Sequence, residues 1–263
     1  MKILFVTGRF PFPPLKGDQA VCLTRLKELA SRHEIHLISF IRSKTDSRNA
    51  VEIEPYLEST TLVKFNVFTA IIRVLFGGIF TSLPFQVLLY TDGRFRRKLN
   101  RLCQLHHIEI VNTFLLRMFE NVKNAPGGNV LDLIDSMVLN IGRRIKRESR
   151  LFMRIVLKEE LRRLEDYEKK VVAGSDASIL VSHEEAELLK AWGRAVAVPL
   201  GVEKAARHYA RTFAEKENIV AFSGNMSYFP NINAVLWFVN ECLPGLRARV
   251  SNVQFMIIGV NPA

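Results

Sequence analysis

Two stretches of the 263-residue sequence, "TGRFPFPPLKGDQA" and "FSGNMSYFPN", carry an apolar run into a helix-like one through a glycine beside a polar residue. The pairs are Gly17-Asp18 and Gly224-Asn225. Backbone N–H groups at such a junction lack intrahelical partners and sit at the positive end of the helix dipole, so they can hold a phosphate or another anion. Each glycine can also be a plain turn former. A third stretch, "VLDLIDS", carries Asp132 and Asp135, read as an acidic pair on one side of a strand, with Asp135 at the C-terminal end where open α/β sheets bind ligands. A carboxylate there could orient or deprotonate a hydroxyl; alternatively Asp135 or Ser136 caps the helix that follows. His183, in "VSHEEAELL", reads as a cap or first-turn residue. The other histidines and the three cysteines (Cys22, Cys103, Cys242) show no metal-ligand spacing, so no metal and no cofactor is expected, and the cysteines read as reduced thiols in or near the core.

Placing these residues requires strands that alternate with helices. Short apolar runs recur at Ile3 to Val6, Ile35 to Ile41, Thr60 to Phe65, Ile108 to Phe114, Asn129 to Asp135, Ala177 to Ser182 and Ala195 to Gly201, each followed by a longer amphipathic or polar segment. Strands apolar on both faces predict a parallel sheet covered by helices on each side, hence an α/β fold. The first helix is expected over Asp18 to Arg32 with Asp18 as its cap. A charged helical region, Ser136 to Val172, reads as mostly solvated. After Gly201 a polar connector intervenes, and a new unit restarts with "IVAFSG" and "VQFMIIG". The expected organisation is a first domain over 1–203, a linker over 204–217 and the start of a second domain over 218–263, too small to stand alone and so either the opening of a longer one, the favoured reading, or an appendage packed on the first domain.

The formal charge of +11 is concentrated in "RFRRKLNR" (Arg94 to Arg101) and "RRIKRESRLFMR" (Arg143 to Arg154), which predicts solvated helix faces or a polyanionic partner. Nucleic acid is disfavoured because no groove-reading motif or stacking platform accompanies the clusters. A nicotinamide dehydrogenase is disfavoured because the first turn has no GxGxxG. The apolar stretch Phe65 to Phe85 is interrupted by Arg73, Gly77-Gly78 and Pro84, a poor bilayer-spanning helix but a surface-seeking one. The N-terminus lacks a signal-peptide pattern, so a cytoplasmic chain, peripheral at the inner membrane face, is expected.

The block from Val220 to Ala263, "VAFSGNMSYFPNINAVLWFVNECLPGLRARVSNVQFMIIGVNPA", resembles the opening of the donor-binding domain of family-four (group 1) glycosyltransferases of GT-B fold. "VPLGVE" resembles the segment where their first domain hands over to the second, and "PPLKGDQA" their first glycine loop. "VLDLIDS" is similar to an acidic motif of the branch associated with exopolysaccharide synthesis. The resemblance implies two Rossmann-like domains and transfer, with retention, of a sugar from a nucleotide-diphosphate donor to a hydroxyl on a lipid-linked or polysaccharide acceptor. It implies that Gly17, Asp18, Gly224 and Asn225 hold the donor diphosphate across an interdomain cleft, and it makes Asp135 the candidate catalytic residue. The first domain would hold the acceptor and rest on an anionic membrane surface through Phe65 to Phe85 and Arg94 to Arg101. The chain departs from the family at Asp18, where a second glycine is common, and at Leu200, where asparagine is usual; the family's donor-domain glutamates would fall beyond residue 263. The alternative is a non-catalytic chain that binds acceptor or membrane only. A sugar-nucleotide epimerase shares the two-domain plan.

Overall fold

The computed structural model describes residues 1–201 and 217–259, and the chain divides into two compact units, 1–201 and 202–263. The expected linker, apart from Glu217, and the last residues, 260–263, lie outside the described residues.

The first unit runs β1 (Lys2–Thr7), α1 (Gly17–Ala30), β2 (Glu34–Ile41), α2 (Lys44–Arg48), β3 (Ser59–Lys64), α3 (Val67–Phe80), α4 (Phe85–Tyr90) and α5 (Gly93–His106). It continues through β4 (Ile110–Phe114), β5 (Gly128–Ile134), α6 (Met137–Arg147), α7 (Leu151–Ala173), β6 (Ala177–Leu180), α8 (His183–Leu189) and β7 (Ala195–Ala197). The seven strands are all parallel, in the order β3-β2-β1-β4-β5-β6-β7. Period-two alternation sends Ile3 and Phe5 to one face, where they pack with Ile35, Leu37, Phe114 and the α1 residues Val21, Leu23 and Leu26. Leu4 and Val6 go to the other face, with Phe40, Phe95, Leu99, Leu131 and Leu164. Both faces are covered, which is why these strands read as unbroken apolar runs. The order reverses between β1 and β4, and a sheet of this topology opens a crevice at the C-terminal ends of those two strands.

The region expected to be one solvated helix is two. α6 ends at Arg147 and α7 begins at Leu151. α7 is not mainly solvated either: Leu157, Glu160, Leu164, Tyr167, Glu168, Val171 and Val172 are buried. The two buried glutamates accept backbone N–H groups at the starts of other helices. Glu160 takes Phe85 N at 2.6 Å and Gln86 N at 3.1 Å, the first amides of α4. Glu168 takes Met137 N at 2.9 Å and the Ser136 hydroxyl at 2.8 Å, at the start of α6. The sign alternation visible in the sequence hides this inward face because glutamate looks solvated until its partners, 75 and 31 positions away, are known.

β5 is entered through Gly127, whose φ is +93° and whose missing Cβ would lie 2.7 Å from the Glu109 carbonyl oxygen. Gly127→Ala combines a left-handed backbone with a backbone clash, so it is expected to lower stability by about 2 kcal/mol. A urea midpoint indistinguishable from the parent would refute this.

The second unit holds β8 (Ile219–Ser223), α9 (Phe229–Trp237), a π-helical turn (Phe238–Cys242), α10 (Leu243–Arg249) and β9 (Gln254–Ile258). β8 and β9 pair in parallel, and Met226, Val235, Leu243 and Val253 are its buried apolar residues among those described. Among the described residues of the chain no helix is long and apolar enough to cross a membrane.

Candidate functional site

The crevice at the end of β1 and β4 is lined by Gly8, Arg9, Asp18, Gln19, Cys22, Phe114, Leu115 and Arg117. Its free volume is about 10 Å³, the room of a single water. Arg9 follows β1 and Arg117 follows β4; both guanidiniums reach Asp18, at 3.2 Å and 3.4 Å. Asp18 is therefore not the helix cap expected for it. The N-cap is Lys16, which makes no side-chain cap hydrogen bond, and Asp18 sits inside the first turn, where a carboxylate suits the helix dipole. Two guanidiniums and a helix N-terminus of roughly half a charge outweigh one carboxylate, so the crevice is net positive. Gln19 donates to the Phe10 carbonyl at 2.8 Å and fixes the proline-rich loop against α1.

A third arginine extends this edge. Arg42, directly after β2, donates to the Tyr90 hydroxyl at 3.0 Å, and the Arg117 guanidinium lies 4.9 Å from the centre of the Tyr90 ring. Arg9, Arg42 and Arg117 thus follow three adjacent strands, β1, β2 and β4, and Tyr90 connects two of them. Sequence reasoning passed over all four residues. The available signal was that "VTGR" and "SFIR" each end a strand in arginine, at the edge where open α/β sheets bind ligands.

Gly17 opens α1, and a Cβ there would meet nothing within 4 Å, so space alone does not demand glycine. Cys22, one turn further along α1, lines the same crevice; burial first, then the Asp132 and Asp18 charges, push its thiol well above its ordinary pKa, which makes it a poor nucleophile.

Asp132 and Asp135 do not form a pair on one side. They are three residues apart, an odd separation that puts side chains on opposite faces of a regular strand, and the β5 register also shifts between Asp132 and Ile134, where φ is +67°. Asp132 is 1% exposed and pairs with Arg25 of α1, which also donates to the Val198 carbonyl at 3.0 Å. Burial raises the Asp132 pKa even against Arg25. Asp135 lies just past β5 among other partners: burial raises its pKa, a hydrogen bond from Asn140 lowers it, and the Glu185 charge raises it again. The cap of α6 is Ser136, whose hydroxyl accepts Leu139 N at 3.3 Å, while Ser136 N donates to Glu185 at 2.8 Å. With Glu168 and Glu185 filling the start of α6, that helix end offers no room for an anion, and Asp135 stands beside it as a carboxyl that holds its proton more readily than usual.

In the second unit the Gly224 N–H donates to the Ile258 carbonyl at 2.9 Å, so it belongs to the β8–β9 ladder. A Cβ on Gly224 would come within 2.7 Å of the Asn231 side chain. The Asn225 side chain accepts Ser227 N at 2.9 Å and the Ser227 hydroxyl at 2.8 Å, closing a tight turn before α9. Among the described residues no cluster of three or more His, Cys, Asp or Glu is placed to hold a metal.

No protein-family model and no curated protein sequence matches the chain. Solved structures do resemble it. One is UGT2 of Phytolacca americana in complex with UDP-2-fluoro-glucose and pterostilbene, at 9% identity and a TM-score of 0.55, covering 99% of this chain and 71% of that one. Another is a UDP-glucosyltransferase from Polygonum tinctorium that glucosylates indoxyl, bound to 3,4-dichloroaniline, at 9% identity and a TM-score of 0.48, covering 85% and 58%. With its seven-stranded parallel sheet followed by a second βαβ unit, the chain has an α/β fold of the GT-B kind.

Proposed function

We propose that this chain is a glycosyltransferase polypeptide that moves a sugar from a nucleotide-diphosphate donor to a hydroxyl acceptor. The first unit binds the acceptor at the arginine-lined end of its sheet. The observation that carries the reading is the likeness, across 99% of the chain, to a structure holding UDP-2-fluoro-glucose. The positive edge at Arg9, Arg42 and Arg117 supports an acceptor that carries phosphate or another anion, as a lipid-linked sugar does. Retention of configuration, the exopolysaccharide or glycolipid setting and membership of the family-four branch belong to the same proposal, on the sequence features of the Gly224 block and "VLDLIDS". Gly17, Asp18, Gly224 and Asn225 remain the proposed donor-diphosphate residues, with Asp18 acting only by holding the Arg9 and Arg117 guanidiniums in place, since its own carboxylate would repel an anion. Because the Gly224 amide already serves the ladder, its contribution would be to let the turn form rather than to donate. Asp135, at the C-terminal end of β5, is the proposed base for the acceptor hydroxyl; burial raises its pKa above the ordinary carboxylate range, the direction that favours proton uptake.

The test is release of nucleoside diphosphate from UDP-glucose and a panel of other nucleotide sugars, with lipid-diphosphate and neutral hydroxyl acceptors compared. Transfer to the charged acceptor is expected, and Arg117→Ala should weaken that acceptor's apparent affinity about tenfold to a hundredfold, the scale of a hydrogen bond to a charged group. Acceptor binding without turnover for any donor would favour the non-catalytic alternative. No binding of either substrate would reject both readings.

A further inference from the structure

We propose that α3 is a membrane-docking element, laid flat in the interface of an anionic bilayer with its apolar side in the lipid. This deepens the acceptor reading above but rests on the surfaces of α3, α6 and α7, not on the chemistry of transfer. The helix is built inside out. Toward the protein it turns small or polar groups: Ala70 is fully buried, and Arg73 points inward to the Leu88 and Leu89 carbonyls and to Asp92 at 3.3 to 3.4 Å. A Cβ on Gly77 would lie 2.7 Å from Leu88, so glycine lets α4 approach closely. Outward it turns Phe68, Ile71, Leu75, Phe76, Ile79 and Phe80, the last two 76% and 77% exposed. The charge that interrupts the segment in sequence is thus withdrawn from the outer face, leaving an uncharged apolar stripe. Such a face on a soluble surface marks an interaction site.

Lipid is the occupant because the helix pair tied to α3 carries a second apolar group next to a basic cluster. Arg163 of α7 ties that helix to the end of α3, donating to the Gly78 and Thr81 carbonyls at 2.7 and 2.9 Å. Eight residues back along α7, roughly 12 Å, is Ile155, which with Leu151 and Phe152 forms a second exposed apolar group. Directly before it, the last turn of α6 presents Arg144, Lys146 and Arg147, none with a carboxylate within ion-pair distance among the described residues. A second copy docked on the same face by two-fold symmetry would bring like charges together. Anionic headgroups would pair with them.

The experiment is co-sedimentation of the full chain with phosphatidylcholine vesicles, with and without about one-third phosphatidylglycerol. Binding is expected to rise at least tenfold with the anionic lipid. Ile79→Glu with Phe80→Glu should lower it about tenfold or more on both vesicles. Charge reversal at Arg144, Lys146 and Arg147 should remove only the anionic increment. Both sets lie on the surface, so far-UV circular dichroism should be unchanged. Should the glutamate pair disturb folding, Phe80→Trp supplies the second readout, a blue shift of its emission on anionic vesicles. Binding that ignores lipid charge, vesicle affinity unaffected by the glutamate pair, no shift at the tryptophan, or a dimer dissolved by the glutamate pair without vesicle binding would each overturn the proposal. Loss of glycosyl transfer with vesicle binding intact would count against the enzymatic reading alone.

Discussion

Glu168→Ala is expected to destabilise the first unit by about 3 kcal/mol, roughly 6 to 12 °C in Tm for a unit of this size. Glu168 is fully buried and holds the start of α6 together. It accepts Met137 N, and it accepts the proton of the Ser136 hydroxyl, which leaves the Ser136 oxygen turned to accept Leu139 N. Alanine strands buried donors, at about 1 to 3 kcal/mol for an unsatisfied group, and unfixes a helix cap worth about 1 kcal/mol. It also relieves a buried acid, which is why the expected loss stays below the full total. The pH dependence distinguishes these contributions. Burial raises the Glu168 pKa above its usual range, so the folded chain binds this proton more readily than the unfolded chain. The contribution is then complete below the ordinary glutamate pKa of about 4.3 and is lost as pH rises through the higher folded value. Glu168→Gln should therefore flatten the decline in stability as pH rises above the ordinary glutamate range, while losing less at neutral pH than alanine does. A urea midpoint for alanine within about 1 kcal/mol of wild type would show that water or Glu185 satisfies the α6 amides instead.

Glu168 also shows where sequence reading works and where it stops. The strands were legible because a parallel sheet buried on both faces needs continuous apolar runs, here short ones followed by helix-length segments, whereas the longer apolar stretch Phe65 to Phe85 folds mainly as helix. The start of α6 was legible as a cap at Asp135 or Ser136 for the same local reason, and the structure makes it Ser136. The identity of the glutamates in α7 was not, because i,i+3 and i,i+4 charge alternation looks the same whether the outer partner is water or another helix's amide. Asp18 was misassigned as a cap for a related reason: a short acid near a helix start satisfies the local rule, but its arginines come from positions 9 and 117. Arg73 reads as an interruption of an apolar segment until Asp92 and the α4 carbonyls turn it inward. In each case the backbone pattern is local and legible, while the direction of a charged side chain depends on residues brought close only by the fold.

Asp132→Ala should cost more still, about 4 kcal/mol, and more than the loss of both members of its pair. The carboxylate is almost wholly buried and its partner Arg25 is 13% exposed at the side chain, so the pair is nearly dry. That the Asp132 pKa is raised despite the adjacent guanidinium says that desolvation outweighs the attraction, and such a pair is not expected to stabilise the fold relative to apolar groups of the same shape. Removing one member is another matter. A guanidinium cannot shed its proton, so Asp132→Ala leaves a charge against the sheet with only the Val198 carbonyl to receive it. Arg25→Met should be milder, because the remaining carboxyl can take up a proton; its stability should accordingly climb as pH falls toward the ordinary carboxylate range, more steeply than in wild type. Arg25→Met with Asp132→Leu should recover most of the loss. The comparison bears on the site as well as on stability. Arg25 lies one turn beyond Cys22 on α1, so the pair bolts to β5 the helix whose first turn carries Gly17 and Asp18 and lines the crevice with Asp18, Gln19 and Cys22. If Asp132→Ala instead melts within about 1 kcal/mol of wild type, α1 is held by its apolar face alone, and the arginine edge must be positioned by Tyr90 and Asp18 without help from beneath.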